Sequence, residues 1–169
     1  MLKLRGGRMS YMKLIKLLYL ADREALLRWG RPVTTDRYIS MDHGPVLSKV
    51  LDLINEGQKP GVNSVWADYI SEPSGYEVSL RNPAFSKDEL SPAEEILLGE
   101  VFEKYGRLSR WDLVDLLHEL PEWQDPNGGA VPIGVADILR AGRKSPSEIS
   151  AIEEELDSLA MAESLVPPR

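Results

Sequence analysis

The chain has 169 residues, 43% of them hydrophobic and 28% charged. That suits one soluble domain with at most a short appendage and leaves no room for a second full-sized core. The absence of cysteine excludes disulfides, thiolate metal sites and a cysteine nucleophile, and it fits a reducing cytoplasm.

The net charge of −7 is uneven. Residues 1–50 hold ten Lys and Arg against four Asp and Glu, and the remainder holds ten against 23. A uniform coat for nucleic acid is disfavoured, although the basic end can meet an acidic partner. No apolar run reaches the roughly 18 residues that a membrane-spanning helix needs, and the first eight residues lack the apolar stretch of an export signal.

In chain order, Ser10 is placed to cap a helix ending at Trp29, with Leu14, Leu18, Ala21 and Ala25 recurring at spacings of three and four. Gly30 and Pro32 stop it. Lys13, Lys16, Asp22, Arg23, Glu24 and Arg28 fall largely away from that stripe, which predicts a solvated face with local ion pairs. Residues 31–43 read as a connection. Gly44-Pro45 then opens a second helix over Pro45 to Glu56, with Val46, Val50, Leu53 and Ile54 inward.

A Lys-Pro-Gly breaker at 59–61 follows. Val65 to Ile70 and Tyr76 to Leu80 then flank Pro73-Ser74-Gly75, a hairpin pattern. Ser91-Pro92-Ala93-Glu94 is a capping box that starts a helix to Gly106. Ser109 opens another, with Trp111, Val114, Leu117 and Leu120 inward. These two form a helical hairpin. Residues 121–132 are a turn-rich loop, Ile133 to Arg140 a short helix, and Ser145-Pro146 repeats the cap before a helix over Ile149 to Glu163. The segment 145–169 holds six acids against one Arg. It reads as an acidic helix and tail appended to a body spanning residues 1–144, with residues 166–169 frayed. The fold class is mainly α: a compact domain of five to six helices with one small antiparallel β-hairpin.

For chemistry, the two histidines are His43, in Asp42-His43-Gly44-Pro45, and His118, beside the inward Leu117. Neither has a nucleophile next to it in sequence, and no serine lies in a G-x-S-x-G setting. No H-x-x-H or H-E-x-x-H spacing offers a metal site, and neither Gly6-Gly7 nor Gly128-Gly129 belongs to a phosphate-binding loop. No catalytic residue, metal or cofactor is therefore assigned. Of the four tryptophans, Trp123, in a loop between Glu122 and Gln124, is the best partner anchor, since aromatics not committed to a core often serve that way.

The segment from Met9 to Leu53 resembles the first half of the Panacea domain, the SocA-like antitoxin family. The residues that carry the likeness are Lys16-Leu17-Leu18-Tyr19, a helix closed by Gly30-Arg31-Pro32, and His43-Gly44-Pro45-Val46. A weaker echo lies in LLHELPEW at 116–123, with Leu117 where the family favours Thr. Family members usually carry another helix ahead of the first motif, where this chain has only MLKLRGG.

The resemblance implies a cytoplasmic, non-enzymatic antitoxin of bacterial or phage origin. Such an antitoxin binds its cognate toxin directly and, for some members, delivers it to an energy-dependent AAA+ protease. The expected contact residues are Tyr19, Asp42, His43, Gly44, Pro45, Val46, His118 and Trp123, converging from the first helix, the His43 turn and the Trp123 loop. The alternative is a DNA-binding regulator that uses the basic first helices and the hairpin as a wing. A small hydrolase built on His43 or His118 is the third reading.

Overall fold

The computed structural model describes residues 1–57, 65–82 and 90–165. Helix α1, Tyr11–Trp29, is the axis of the fold. Leu14, Ile15, Leu17, Tyr19, Leu20, Ala21, Ala25 and Leu26 are all buried, so apolar groups surround the helix as they do when a helix runs through a core. It packs against α4 (Pro92–Tyr105), α5 (Arg110–His118) and α6 (Val135–Ala141). Gly30 closes it at φ +73°, donating to Leu26 O, the left-handed cap that glycine adopts without a Cβ penalty.

The expected solvated face survives only in part: Glu24 and Arg28 form an exposed ion pair at 2.7 Å, but three of the other charges expected there are buried. Lys13 is 7% exposed, Lys16 1% and Asp22 0%. Lys13 bridges two chain segments: its ammonium donates to Gly106 O at 2.7 Å and Leu108 O at 2.5 Å, tying off carbonyls where α4 ends.

Two small antiparallel sheets replace the single expected hairpin. In the first, β1 (Arg8–Ser10) pairs with β4 (Glu77–Ser79), Met9 opposite Val78. Ser10 ends that strand, so its hydroxyl is buried without a hydrogen-bond partner rather than capping α1. The expected first strand of the hairpin is instead helix α3, Val65–Tyr69. Trp66, Tyr69 and Ile70 satisfy the spacing of a helical face as well as that of a strand, an ambiguity inherent in short apolar runs. Only an isolated bridge, Ile70 to Leu80, retains the expected pairing. The wing-like element of the DNA-binding reading is therefore absent as drawn.

The second sheet has the order β3-β2-β5. Strand β2, Tyr38–Met41, lies in the segment expected to be a connection. Strand β3, Gly44–Leu47, occupies what was expected as the first turn of the second helix, and α2 begins only at Ser48 and runs to Glu56. Met41 faces Gly44 across the two-residue Asp42-His43 turn. Pro45 is tolerated because β3 is an edge strand, where a missing N–H costs no ladder bond. Strand β5, Val131–Ile133, comes from the loop after α5 and flanks β2 on its other side.

The capping boxes at Ser91 and Ser109 form with Glu94 and Asp112. Trp111, expected inward on α5, is 49% exposed, and Leu113, Val114 and Leu117 fill the core in its place. Helix α7, Pro146–Ser164, starts at Ser145, whose hydroxyl accepts from Glu148 N while its own N–H donates to the Glu148 carboxylate. Ile149 reaches the core, and Ile152 lies against Gly30. The breaker at 59–61 and the tail at 166–169 lie outside the described residues. Among the described residues no helix is long and apolar enough to cross a membrane.

Candidate functional site

The β2–β3 turn is the most prominent feature near the expected contact residues. Asp42 and His43 are exposed at its tip, and two elements brace it. From the loop after α5, Trp123 Nε1 donates to Met41 O at 3.2 Å, Gln124 N to the buried Ser40 hydroxyl at 3.2 Å, and Gly128 N to Asp42 Oδ1 at 3.0 Å. From α5, Trp111 and His118 stand two turns apart on one face. Trp111 meets the His43 ring at a centroid distance of 5.6 Å, and His118 stacks on Trp123 at 4.1 Å.

The expected contact residues therefore divide. Asp42 and His43 are exposed, and His118 and Trp123 are half-buried props beneath the turn. Gly44 and Pro45 belong to a buried strand. Val46 is buried and borders a surface pocket. Tyr19 leaves the contact set altogether: it is 0% exposed and its hydroxyl is engaged inside the protein.

That engagement is part of a buried polar network the sequence reading missed. Tyr19 OH donates to Glu122 Oε1 at 3.1 Å, and Arg23 Nε donates to the same oxygen at 2.6 Å. One turn away on α1, Asp22 accepts from the Val33 and Thr34 N–H groups at 2.9 Å each, from the Thr34 hydroxyl, and from Tyr38 OH at 3.1 Å. The Tyr19 and Tyr38 rings meet edge to face at 5.7 Å. Burial pushes the Asp22 carboxyl above its ordinary range, partly offset by those donors, and holds both phenols well above theirs. Buried polar groups this fully bonded rigidify a fold; here they fix the 31–38 segment and the Trp123 loop to α1.

Beside the turn lies a pocket of about 540 Å³. Apolar side chains, among them Met12, Ile15, Met41, Val46 and Trp111, form much of its wall, with Lys16, Asp42, His43 and Arg110 and the phenols of Tyr11 and Tyr76 as its charged and titratable groups. At the rim, Tyr76 is 66% exposed. The Arg110 guanidinium lies over both the Tyr76 and Trp111 rings, at 5.7 and 5.4 Å, within cation–π range. Lys16 reaches the pocket from α1. Burial strips hydration from its ammonium and lowers it to about 8.

Trp111, Tyr76, Arg110 and Lys16 were not assigned to the contact surface from the sequence, Lys16 entering only as the first residue of the Lys16-Leu17-Leu18-Tyr19 motif. Trp111 follows the Ser109 cap within the first helical turn, where a helical stripe assigns it inward, and no local pattern distinguishes Lys16 from an exposed lysine. Pairing of β4 with β1 brings Tyr76 near Tyr11, their rings 6.3 Å apart.

A family model described as antitoxin SocA-like, Panacea domain, matches residues 14–124. No curated protein and no solved structure matches the chain. The matched span runs from the first turn of α1 to Gln124 and includes the β2–β3 turn, its braces except Gly128, and most of the pocket wall.

Proposed function

The chain belongs to the SocA-like antitoxin family of Panacea domains, and from that premise we propose that it neutralises a cognate toxin by direct binding, with no bond made or broken in the process. The observation that supports a surface for this is the exposed aromatic group at the pocket rim. Trp111 is 49% and Tyr76 66% exposed, set beside His43 and bridged by Arg110. Tryptophan, tyrosine and arginine are the side chains that most often anchor protein interfaces, through large rigid area and planar hydrogen bonding. The contact set becomes Asp42, His43, Tyr76, Arg110 and Trp111, with Val46 behind them and His118 and Trp123 holding the turn in place.

The test starts from the neighbouring reading frame, whose product should arrest growth alone and be rescued by this protein. Calorimetric titration of that product with the His43→Ala, Trp111→Ala double variant should show binding weakened by about 2–4 kcal/mol, the range of paired anchor truncations, with an unchanged melting profile. Undiminished binding would remove this surface. Occlusion and delivery to an AAA+ protease are separated by the toxin's cellular half-life, which shortens on co-expression only in the second case.

A further inference from the structure

Helix α1 buries two lysines one turn apart, and only one of them is satisfied by the protein. Lys13 donates to two carbonyls. Lys16 is 1% exposed, and among the described residues its ammonium has neither a hydrogen-bond acceptor nor a carboxylate partner. An ammonium carries three donors, and burying it without acceptors forfeits several kcal/mol of hydration. The pocket that Lys16 lines is where an acceptor, whether water or a group of a bound molecule, can reach it.

The backbone keeps that space clear. Gly44 sits at φ +87°, and a Cβ built there would lie 3.1 Å from Lys16 Nζ. Met12, Ile15, Met41 and Trp111 line the same pocket, so much of its wall is apolar and partly aromatic. Besides the phenols of Tyr11 and Tyr76, the charged and titratable groups of the lining are Lys16, Arg110 and His43 against Asp42 alone, and Asp42 is already bonded to Gly128 N–H. A volume near 540 Å³ is within the ~300–1,000 Å³ of small-molecule sites, which combine apolar walls with a few convergent polar groups.

We propose that this pocket binds an organic carboxylate, its apolar or aromatic body against Trp111, Met12 and Ile15 and its carboxylate on the Lys16 ammonium. The assignment goes beyond toxin neutralisation and does not depend on it. The same chemistry has two sources, a free carboxylic acid or a carboxylate carried by a protein partner.

The protein alone is titrated in a calorimeter with 2-naphthoate and with the uncharged, nearly isosteric 2-naphthamide. Naphthoate should bind saturably at millimolar concentration or below, and naphthamide at least tenfold more weakly, because only the first supplies a charge-assisted acceptor. Lys16→Met, which keeps the length and removes the charge, should lower naphthoate affinity at least tenfold while leaving naphthamide unaffected. Failure of naphthoate to saturate, equal affinity for the two probes, or full naphthoate affinity in Lys16→Met would each overturn the proposal. The probe comparison needs no variant, so it stands even if the substitution disturbs folding.

Where naphthoate binding is lost in Lys16→Met, growth rescue from the toxin assigns the source. Rescue lost with it supports a carboxylate carried by the toxin, and rescue intact supports a free acid.

Discussion

The Tyr19 hydroxyl and the Glu122 carboxylate, 103 positions apart in sequence, meet at 3.1 Å in the interior. The contact fastens the centre of α1 to the residue before Trp123. The Glu122 side chain is 0% exposed, with Arg23 2.6 Å away at 17% exposure. Removing one partner of a buried pair leaves the other charge uncompensated. Glu122→Ala should therefore cost about 2–4 kcal/mol, the lower part reflecting partial rehydration of Arg23. Tyr19→Phe should cost only about 1 kcal/mol, the worth of one hydrogen bond. Urea denaturation of the two variants checks the order, and equal losses would contradict it.

Asp22 is the more heavily used carboxylate, accepting from two backbone N–H groups and two hydroxyls. Asp22→Ala strands several of these donors at once and should destabilise by about 3–5 kcal/mol. Its effect should spread to the Tyr38 strand, read as faster amide exchange at 38–41. A loss under 1 kcal/mol would mean that the 31–38 segment is held by something else.

Lys16 makes a prediction of opposite sign. Burial lowers its ammonium from 10.5 to about 8. Between those values the unfolded chain holds a proton that the folded one has released, so stability from this group rises with pH from 8 to 10.5 and is flat above. Below pH 8 the folded state bears the whole cost of the buried charge, about 3 kcal/mol at ~1.4 kcal/mol per pH unit. Lys16→Met should thus be more stable than wild type at pH 7, with the gap closing by pH 10.5. Tyr19 and Tyr38, whose phenols are held above 10 by burial, push stability down at the alkaline end in both proteins. The difference between the two pH profiles therefore isolates Lys16.

Gly44 and Gly75 both have positive φ, +87° and +57°, but only at Gly44 does a new Cβ meet a neighbour. Gly75→Ala should cost about 1 kcal/mol for the left-handed backbone alone. Gly44→Ala should cost more, about 2 kcal/mol, because the methyl also presses on Lys16 Nζ 3.1 Å away. Equal melting temperatures would show that Lys16 moves aside without penalty.

The helices were legible wherever caps and periodicity agreed. Ser91 and Ser109 head α4 and α5 through side-chain bonds three residues ahead, a purely local signal. Of the strands, β4 alone was legible, inside the alternating Tyr76 to Leu80 run; the others have three or four residues each, and β1, β4 and β5 find their partners far away in sequence. Only the β2–β3 turn is local, and its Gly-Pro disguised it as a helix start.

Of the candidate site, the exposure of Asp42 and His43 was legible because they sit in a polar turn between apolar runs. Tyr19 was misplaced because a motif position says nothing about the side on which a side chain is covered. Lys16 was invisible because its burial is created by α5 and the hairpin together, and neither is near it in sequence.

Strand β2 has one neighbour that follows at once and a second that arrives only at 131–133. On the ribosome, the turn bearing His43 is made early, while Trp111, the Trp123 prop and β5 have yet to be synthesised. A growing chain therefore carries an unbraced turn until α5 and the Trp123 loop emerge, so a product truncated before residue 110 would display the motif without the surface.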